Sequence, residues 1–249
     1  MDRDQIRQRL EFYQDLGFKQ IYRRDPRPAA AEAAIEIPQP VPSPEMSLPP
    51  IELPGIAPDG DTLLRIREEI GECRRCRLCE KRNKIVFGVG NEQAKLVFVG
   101  EGPGADEDAQ GIPFVGRAGQ LLTQMIEGTA KKEGIPLLRS DVYICNVVKC
   151  RPPENRTPEA DEMEICGEFL FRQLGAIRPT AICALGSTAA KAILGGRDGV
   201  TKLRGRWHKW RDIPLIVTYH PSYLLRPYNQ NAKREAWEDL KKVLHFVYD

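Results

Sequence analysis

Three kinds of residue in this chain stand at spacings that could do chemistry. Asn146 closes the apolar run Val142-Tyr143-Ile144-Cys145, where a carboxamide can donate and accept hydrogen bonds within one planar group. A ligand that is itself an amide, or a nucleobase edge, needs that combination; the plainer reading is a turn-forming Asn. His220 follows Leu215-Ile216-Val217-Thr218-Tyr219 and precedes Pro221-Ser222-Tyr223-Leu224-Leu225-Arg226, the position of an active-site base or hydrogen-bond donor. Cysteines form the third kind. Three crowd into Cys73-Arg-Arg-Cys76-Arg-Leu-Cys79, and Cys145, Cys150, Cys166 and Cys183 are scattered. Seven cysteines, an odd number with no secretion signal before them, argue for a metal rather than a disulfide framework.

Two loops accompany these residues. Gly100-Glu101-Gly102-Pro103-Gly104 turns sharply after an apolar run and can present backbone N–H groups to a ligand. It lacks Gly-Lys-Ser/Thr, so a nucleotide P-loop is excluded, and the acidic residues behind it oppose a polyphosphate. Gly111-Ile112-Pro113-Phe114-Val115-Gly116 holds an aromatic ring between chain breakers, outside any regular core pattern.

The elements that must position these groups are short. Leu96–Val99, Val142–Ile144, Ala181–Leu185 and Leu215–Thr218 are continuous apolar runs, as in strands buried on both faces. Helical periodicity lies between them near 117–133, 157–177 and 187–194, with a closing helix at 230–246 and another at 61–79 that Asp61 would cap. Alternating strands and helices predict an α/β fold, a central four-stranded parallel sheet flanked by helices. Ligands of such sheets sit beyond the carboxyl ends of the strands, where the residues above stand.

Ten of the 20 prolines fall between Pro26 and Pro58, which predicts an extended linker over 25–59. Residues 1–24 read as an amphipathic helical extension, either docked on the surface or offered to a protein partner, and 60–249 as the catalytic domain. With 41% hydrophobic and 29% charged residues and a net charge of +2, the composition is that of a globular protein. No apolar run approaches the roughly 20 residues of a membrane helix, and the charged N-terminus is unlike a secretory signal, so a cytoplasmic monomer without membrane contact is expected.

Taken in order, Gly100–Gly104 (GEGPG), Gly111–Leu122 (GIPFVGRAGQLL), Asn146–Pro153 (NVVKCRPP) and His220–Arg226 (HPSYLLR) resemble the motifs of the uracil-DNA glycosylase superfamily, and most closely its iron–sulfur family 4. The resemblance covers residues 60–249. It implies cleavage of the N-glycosidic bond of uracil swung out of single- or double-stranded DNA, leaving an abasic site. It also implies a [4Fe–4S] cluster on Cys73, Cys76, Cys150 and Cys166, with Cys79 competing for the place of Cys76. Spacing alone leaves the metal open between iron–sulfur and structural zinc. Cys145 and Cys183 read as buried small apolar residues.

By the same resemblance Gly100, Glu101, Gly102, Glu107, Phe114, Asn146 and His220 bind uracil. Phe114 stacks on the base, Asn146 reads its amide-like edge, and His220 donates to the oxygen that becomes negative. Glu101 assists water or opposes the positive sugar, and Glu107 excludes a methyl at C5. Leu224, or Tyr223 or Leu225, fills the gap left by the extruded nucleotide, while Ser222 and Arg226 hold phosphates. Lys149, Arg151, Arg156, Lys202, Arg204, Arg206 and Lys209 add a basic footing. Gly102 and the lack of His in Arg151–Pro158 separate the chain from covalent uracil-trapping relatives, and Glu101 from family 5. Two alternatives remain: a non-catalytic iron–sulfur DNA-binding or electron-transfer module, and a zinc module fused to a small-molecule hydrolase.

Overall fold

The computed structural model describes residues 60–226 and 228–249, which belong to a unit spanning 51–249. The expected helical extension and Pro-rich linker lie outside the described residues. In chain order the elements are α1 (Leu63–Ile70), β1 (Val89–Gly90), β2 (Leu96–Gly100), α2 (Ala105–Gln110), α3 (Arg117–Lys132), β3 (Tyr143–Asn146), α4 (Ala160–Ile177), β4 (Ala181–Leu185), α5 (Gly186–Leu194), α6 (Val200–Leu203), β5 (Trp207–Trp210), β6 (Ile213–Thr218), α7 (Pro221–Leu224) and α8 (Gln230–Tyr248).

The four apolar runs are strands, and they pair in parallel. The sheet nevertheless has six strands rather than four, in the order β1-β3-β2-β4-β6-β5, and it is mixed. Both additions are antiparallel edges, β1 on β3 and β5 on β6. Two-residue β1 is too short to carry a pattern. In β5, Trp207-His208-Lys209-Trp210 leaves three of four side chains at least partly exposed, so it lacks the continuous apolar signature of a buried strand.

Side-chain alternation builds two cores from one strand. Leu96 and Phe98 point to the face covered by Leu122 and Ile126 of α3 and Val243 and Leu244 of α8. Val97 and Val99 point to the other face, against Ile66 of α1, Phe169, Leu170 and Leu174 of α4, and Ala189 and Ala190 of α5. Burying each such Val, Leu, Ile or Phe side chain contributes roughly 1.5–3 kcal/mol, which is why these faces fix the strand register.

That register determines where the site forms. Gly100 pairs with Asn146 across β2 and β3, and Leu185 pairs with Thr218 across β4 and β6. Four parallel strands therefore end along one edge. Strand order reverses between β2 and β4, which opens a crevice at that point.

Helix α1 is shorter than the expected 61–79. Thr62 caps it by accepting the Arg65 N–H at 3.2 Å, whereas Asp61 pairs with Arg172 at 2.7 Å. It stops at Gly71, whose N–H bonds back to Arg67 O at 3.2 Å with φ +38°. Cys73 and Cys76 consequently lie in a loop, and Cys79 in a single 3₁₀ turn over Arg77–Glu80. Among the described residues no helix is long and apolar enough to cross a membrane.

Candidate active site

A cavity of about 600 Å³ opens beyond the strand ends, lined by Glu101, Gly102 and Gly104 after β2, Asn146 at the end of β3, Gly186–Thr188 after β4 and His220 after β6. Glu107, Phe114, Ser222 and Tyr223 complete the walls that matter below. Gly100 sits behind this wall. A side chain there would collide with Asn146 Oδ1 and the Phe114 ring, so its absence lets the two groups converge.

Asn146 is 1% exposed, and its Oδ1 has no hydrogen-bond partner among the described residues. Leaving a buried acceptor unpaired costs about 1–3 kcal/mol, and folded proteins rarely tolerate it without a ligand to supply the donor. Its backbone, by contrast, is firmly held. The Asn146 carbonyl accepts the Lys149 ammonium at 2.7 Å, and the same ammonium donates to Gln173 Oε1 at 2.6 Å. Lys149 is fully buried, so it contributes no basic footing at the surface.

Phe114 is 6% exposed and adopts φ +55°, a backbone conformation that costs a non-glycine residue about 1–3 kcal/mol. Its neighbours are pinned on both sides. Glu107 accepts the N–H groups of Val115 and Gly116, each at 2.9 Å, and that of Gly104 at 3.1 Å. Arg139 donates to Pro113 O at 2.9 Å. Glu107 thus lines the cavity as a fixed wall whose oxygens brace the Phe114 loop. Arg139 was not visible in the sequence as a site residue, because it lies far from every motif.

The His220 ring centroid is 5.6 Å from that of Phe114. Its Nδ1 accepts the Ser222 backbone N–H at 3.2 Å and lies 2.8 Å from Ser222 Oγ. A backbone N–H can only donate, so Nδ1 carries no proton and the neutral ring holds it on Nε2. Burial pushes the imidazolium pKa down to about 4, against the opposing pull of Glu107. At neutral pH the ring is an uncharged Nε2–H donor.

The HPSYLLR segment departs from expectation in two places. Leu224, the last residue of α7, is 1% exposed and packs against Tyr219, Ala232 and Ala236, so it does not project from the surface. The segment's exposed ring is Tyr223, 41% exposed and stacked on Tyr219 at 5.3 Å. The Ser222 hydroxyl is engaged with His220 rather than free for phosphate. Arg226 remains exposed, over the Tyr223 ring at 5.9 Å. Of the other cations, Arg204 is paired with Asp239 at 2.9 Å and Arg156 with Glu162 at 2.6 Å, whereas Arg206 and Lys209 are exposed.

On the opposite side of β3, the cysteines Cys73, Cys76, Cys79, Cys150 and Cys166 line one small cavity, and none is in a disulfide. Among the described residues no three His, Cys, Asp or Glu side chains stand ready as a metal-holding group. The donor chemistry nonetheless fits a thiolate-ligated group. Lys149 N–H donates to Cys166 Sγ at 3.3 Å and Arg82 to Cys150 Sγ at 3.4 Å, contacts that favour thiolates. Without such a group, burial pushes the Cys150 thiol to about 12 and Cys166 to about 11. Cys145 and Cys183 are buried strand residues away from this cavity. The loop that carries Cys150 continues to Pro152, Asn155 and Arg156 on the rim of the large cavity.

The profile of the uracil DNA glycosylase superfamily matches residues 87–241, from just before β1 into α8. The chain belongs to that superfamily. It is 45% identical to the type-4 uracil-DNA glycosylase of Thermotoga maritima over 184 residues, 73% of this chain and 93% of that protein. It is 44% identical to the type-4 enzymes of Sulfurisphaera tokodaii and Archaeoglobus fulgidus, each over 191 residues, covering 74% of this chain and 84% and 92% of theirs. In this superfamily member, Leu185-Gly186-Ser187-Thr188 is the cavity segment that sequence reasoning passed over, although it ends a strand just as Asn146 does.

Proposed function

We propose that the chain is a monofunctional uracil-DNA glycosylase. It accepts a uracil extruded from DNA, hydrolyses the bond between the sugar C1′ and the base, and leaves an abasic site. The observation that supports this most is the unpartnered Asn146 Oδ1 in a cavity walled by Phe114 and His220. Uracil N3–H is the donor it lacks. Neutral cytosine has no hydrogen at N3, so the same acceptor would stay unpaired, a mismatch that can discriminate by roughly 10⁴–10⁵. The Phe114 ring offers a stacking face, and the fixed Glu107 wall leaves no freedom to admit a methyl at C5.

As the glycosidic bond breaks, its electron pair leaves with the base and positive charge develops on the sugar. The Nε2–H of His220 donates to the base oxygen where negative charge gathers, and a neutral donor avoids the cost of charging the ring in a buried wall. The Glu101 carboxylate faces the cation and orients the water that adds to C1′, whose released proton it can take up. Gly100 and Gly102 keep this wall thin enough for the base to approach. Tyr223, rather than Leu224, fills the space of the extruded nucleotide, and Arg226 with Arg206 and Lys209 supplies the salt-sensitive grip on phosphates.

Cys73, Cys76, Cys150 and Cys166 would hold a [4Fe–4S] cluster, which supplies a cross-link between the loop after α1 and α4 and a site able to exchange an electron. The place of action is cellular DNA, single- or double-stranded, in the cytoplasm. Incubation with an end-labelled uracil oligonucleotide followed by alkali tests the reading. Strand breaks at uracil that vanish with Asn146→Ala or His220→Ala are expected; no release by folded, iron-loaded protein overturns it.

A further inference from the structure

The crevice at the switch point is spanned by one side-chain contact. Glu101 leaves the end of β2 in a glycine-rich turn, and Thr188 stands in the first turn of α5, which begins directly where β4 ends. The Thr188 hydroxyl donates to Glu101 Oε2. No other side-chain hydrogen bond to the Glu101 carboxylate is present among the described residues, so Oε1 has no partner there. The hydroxyl is the donor and the carboxylate oxygen the acceptor, so the threonine proton is committed to Glu101.

The neighbouring hydroxyl does something different. Ser187 Oγ accepts the Val200 N–H at 3.1 Å and so anchors α6. Two adjacent hydroxyls on one helical turn are therefore divided between scaffold and site. The Thr188 hydroxyl is the one that meets a cavity carboxylate. Helix α5 has nine residues and carries Thr188 in its first turn.

We infer that Thr188 is a positioning residue for Glu101, fixing one carboxylate oxygen across the crevice so that the other faces the reacting sugar and water. A glutamate between Gly100 and Gly102 would otherwise sample many rotamers in a wide cavity, few of them productive. Because β2 and β4 are adjacent parallel strands, the contact also ties the turn after one to the helix after the other. This rests on the reading of Glu101 as the carboxylate that serves the sugar and water.

Single-turnover uracil release and oligonucleotide binding, measured on the full iron-loaded chain, test the inference. Thr188→Val, which keeps the shape and removes the donor, should slow release about 10- to 100-fold with DNA affinity unchanged within about twofold. Thr188→Ser should restore most of the rate. In a Glu101→Gln background, Thr188→Val should cost no more than about twofold further. If Thr188→Val does not fold, Thr188→Ala, which suits a helix, serves in the same cycle. Full activity in Thr188→Val beside a disabled Glu101→Gln overturns the positioning role alone. An equal loss in both backgrounds also overturns it, since the threonine would then act on the scaffold. An undiminished rate in Glu101→Gln overturns the reading of Glu101 itself.

Discussion

The protonation state of His220 is where the proposed mechanism can be tested most sharply. An ordinary histidine, titrating near 6.5, would be almost wholly protonated at pH 5; at about 4, only about one ring in ten is. The gap corresponds to about 3 kcal/mol, an upper bound because the ring borders an open cavity. Its sign follows from the direction. Folded His220 binds a proton less readily than the unfolded chain does, so lowering pH from about 6.5 to about 4 removes stability, and the loss is complete below that. Nitrogen-15 spectra of the ring, recorded across this range, should show a neutral ring protonated on Nε2 down to about pH 4.5. Removing the donor with His220→Ala should slow uracil release about 10²- to 10³-fold. Ser222→Ala should slow it less than about fivefold, because the backbone N–H on Nδ1 survives. A ring that titrates near 6.5, or one protonated on Nδ1, would refute the reasoning.

Three further outcomes follow from particular contacts. Leu224→Ala should lower stability by about 2–5 kcal/mol in urea unfolding, whereas Tyr223→Ala should leave stability nearly intact and weaken binding to uracil-containing duplex. Glu162, its side chain fully buried between Arg156 at 2.6 Å and Arg77 at 3.0 Å, is held down to about 2 by the Arg156 hydrogen bond first. Its contribution is therefore present above about pH 4.5 and fades as pH falls toward 2. Glu162→Gln should cost roughly 1–3 kcal/mol at pH 7 and much less at pH 2.5, by urea midpoint. Cys79→Ser should keep bound iron and brown colour, while serine at Cys73, Cys76, Cys150 or Cys166 should lose both; loss with Cys79→Ser would move the ligand assignment.

Much of the framework was legible because the signals were local. Leu96–Val99 and Ala181–Leu185 are continuous apolar runs, and only a strand covered on both faces hides such a run. Asn146 and His220 were conspicuous as polar residues placed just where those runs stop. The sequence pattern over 61–79 suggests a longer helix than α1, which the positive φ of Gly71 ends. The burial of Leu224 is not legible in the sequence, because an apolar residue in a loop motif reads as exposed and nothing nearby tells of Ala232 and Ala236 packing against it.

What the sequence by itself determined, then, is the alternation of strands and helices, the end of the sheet where chemistry gathers, and the residue types available there. Tertiary structure alone decided the division of labour among them. Glu107 became a brace, Ser222 the partner that sets the His220 tautomer, Lys149 a buried clasp on the Asn146 backbone, and Thr188 the neighbour of Glu101. The physical reason is range. Backbone periodicity is written in residues a few positions apart, whereas a hydrogen bond between positions 101 and 188 exists only once parallel pairing has brought β2 and β4 side by side.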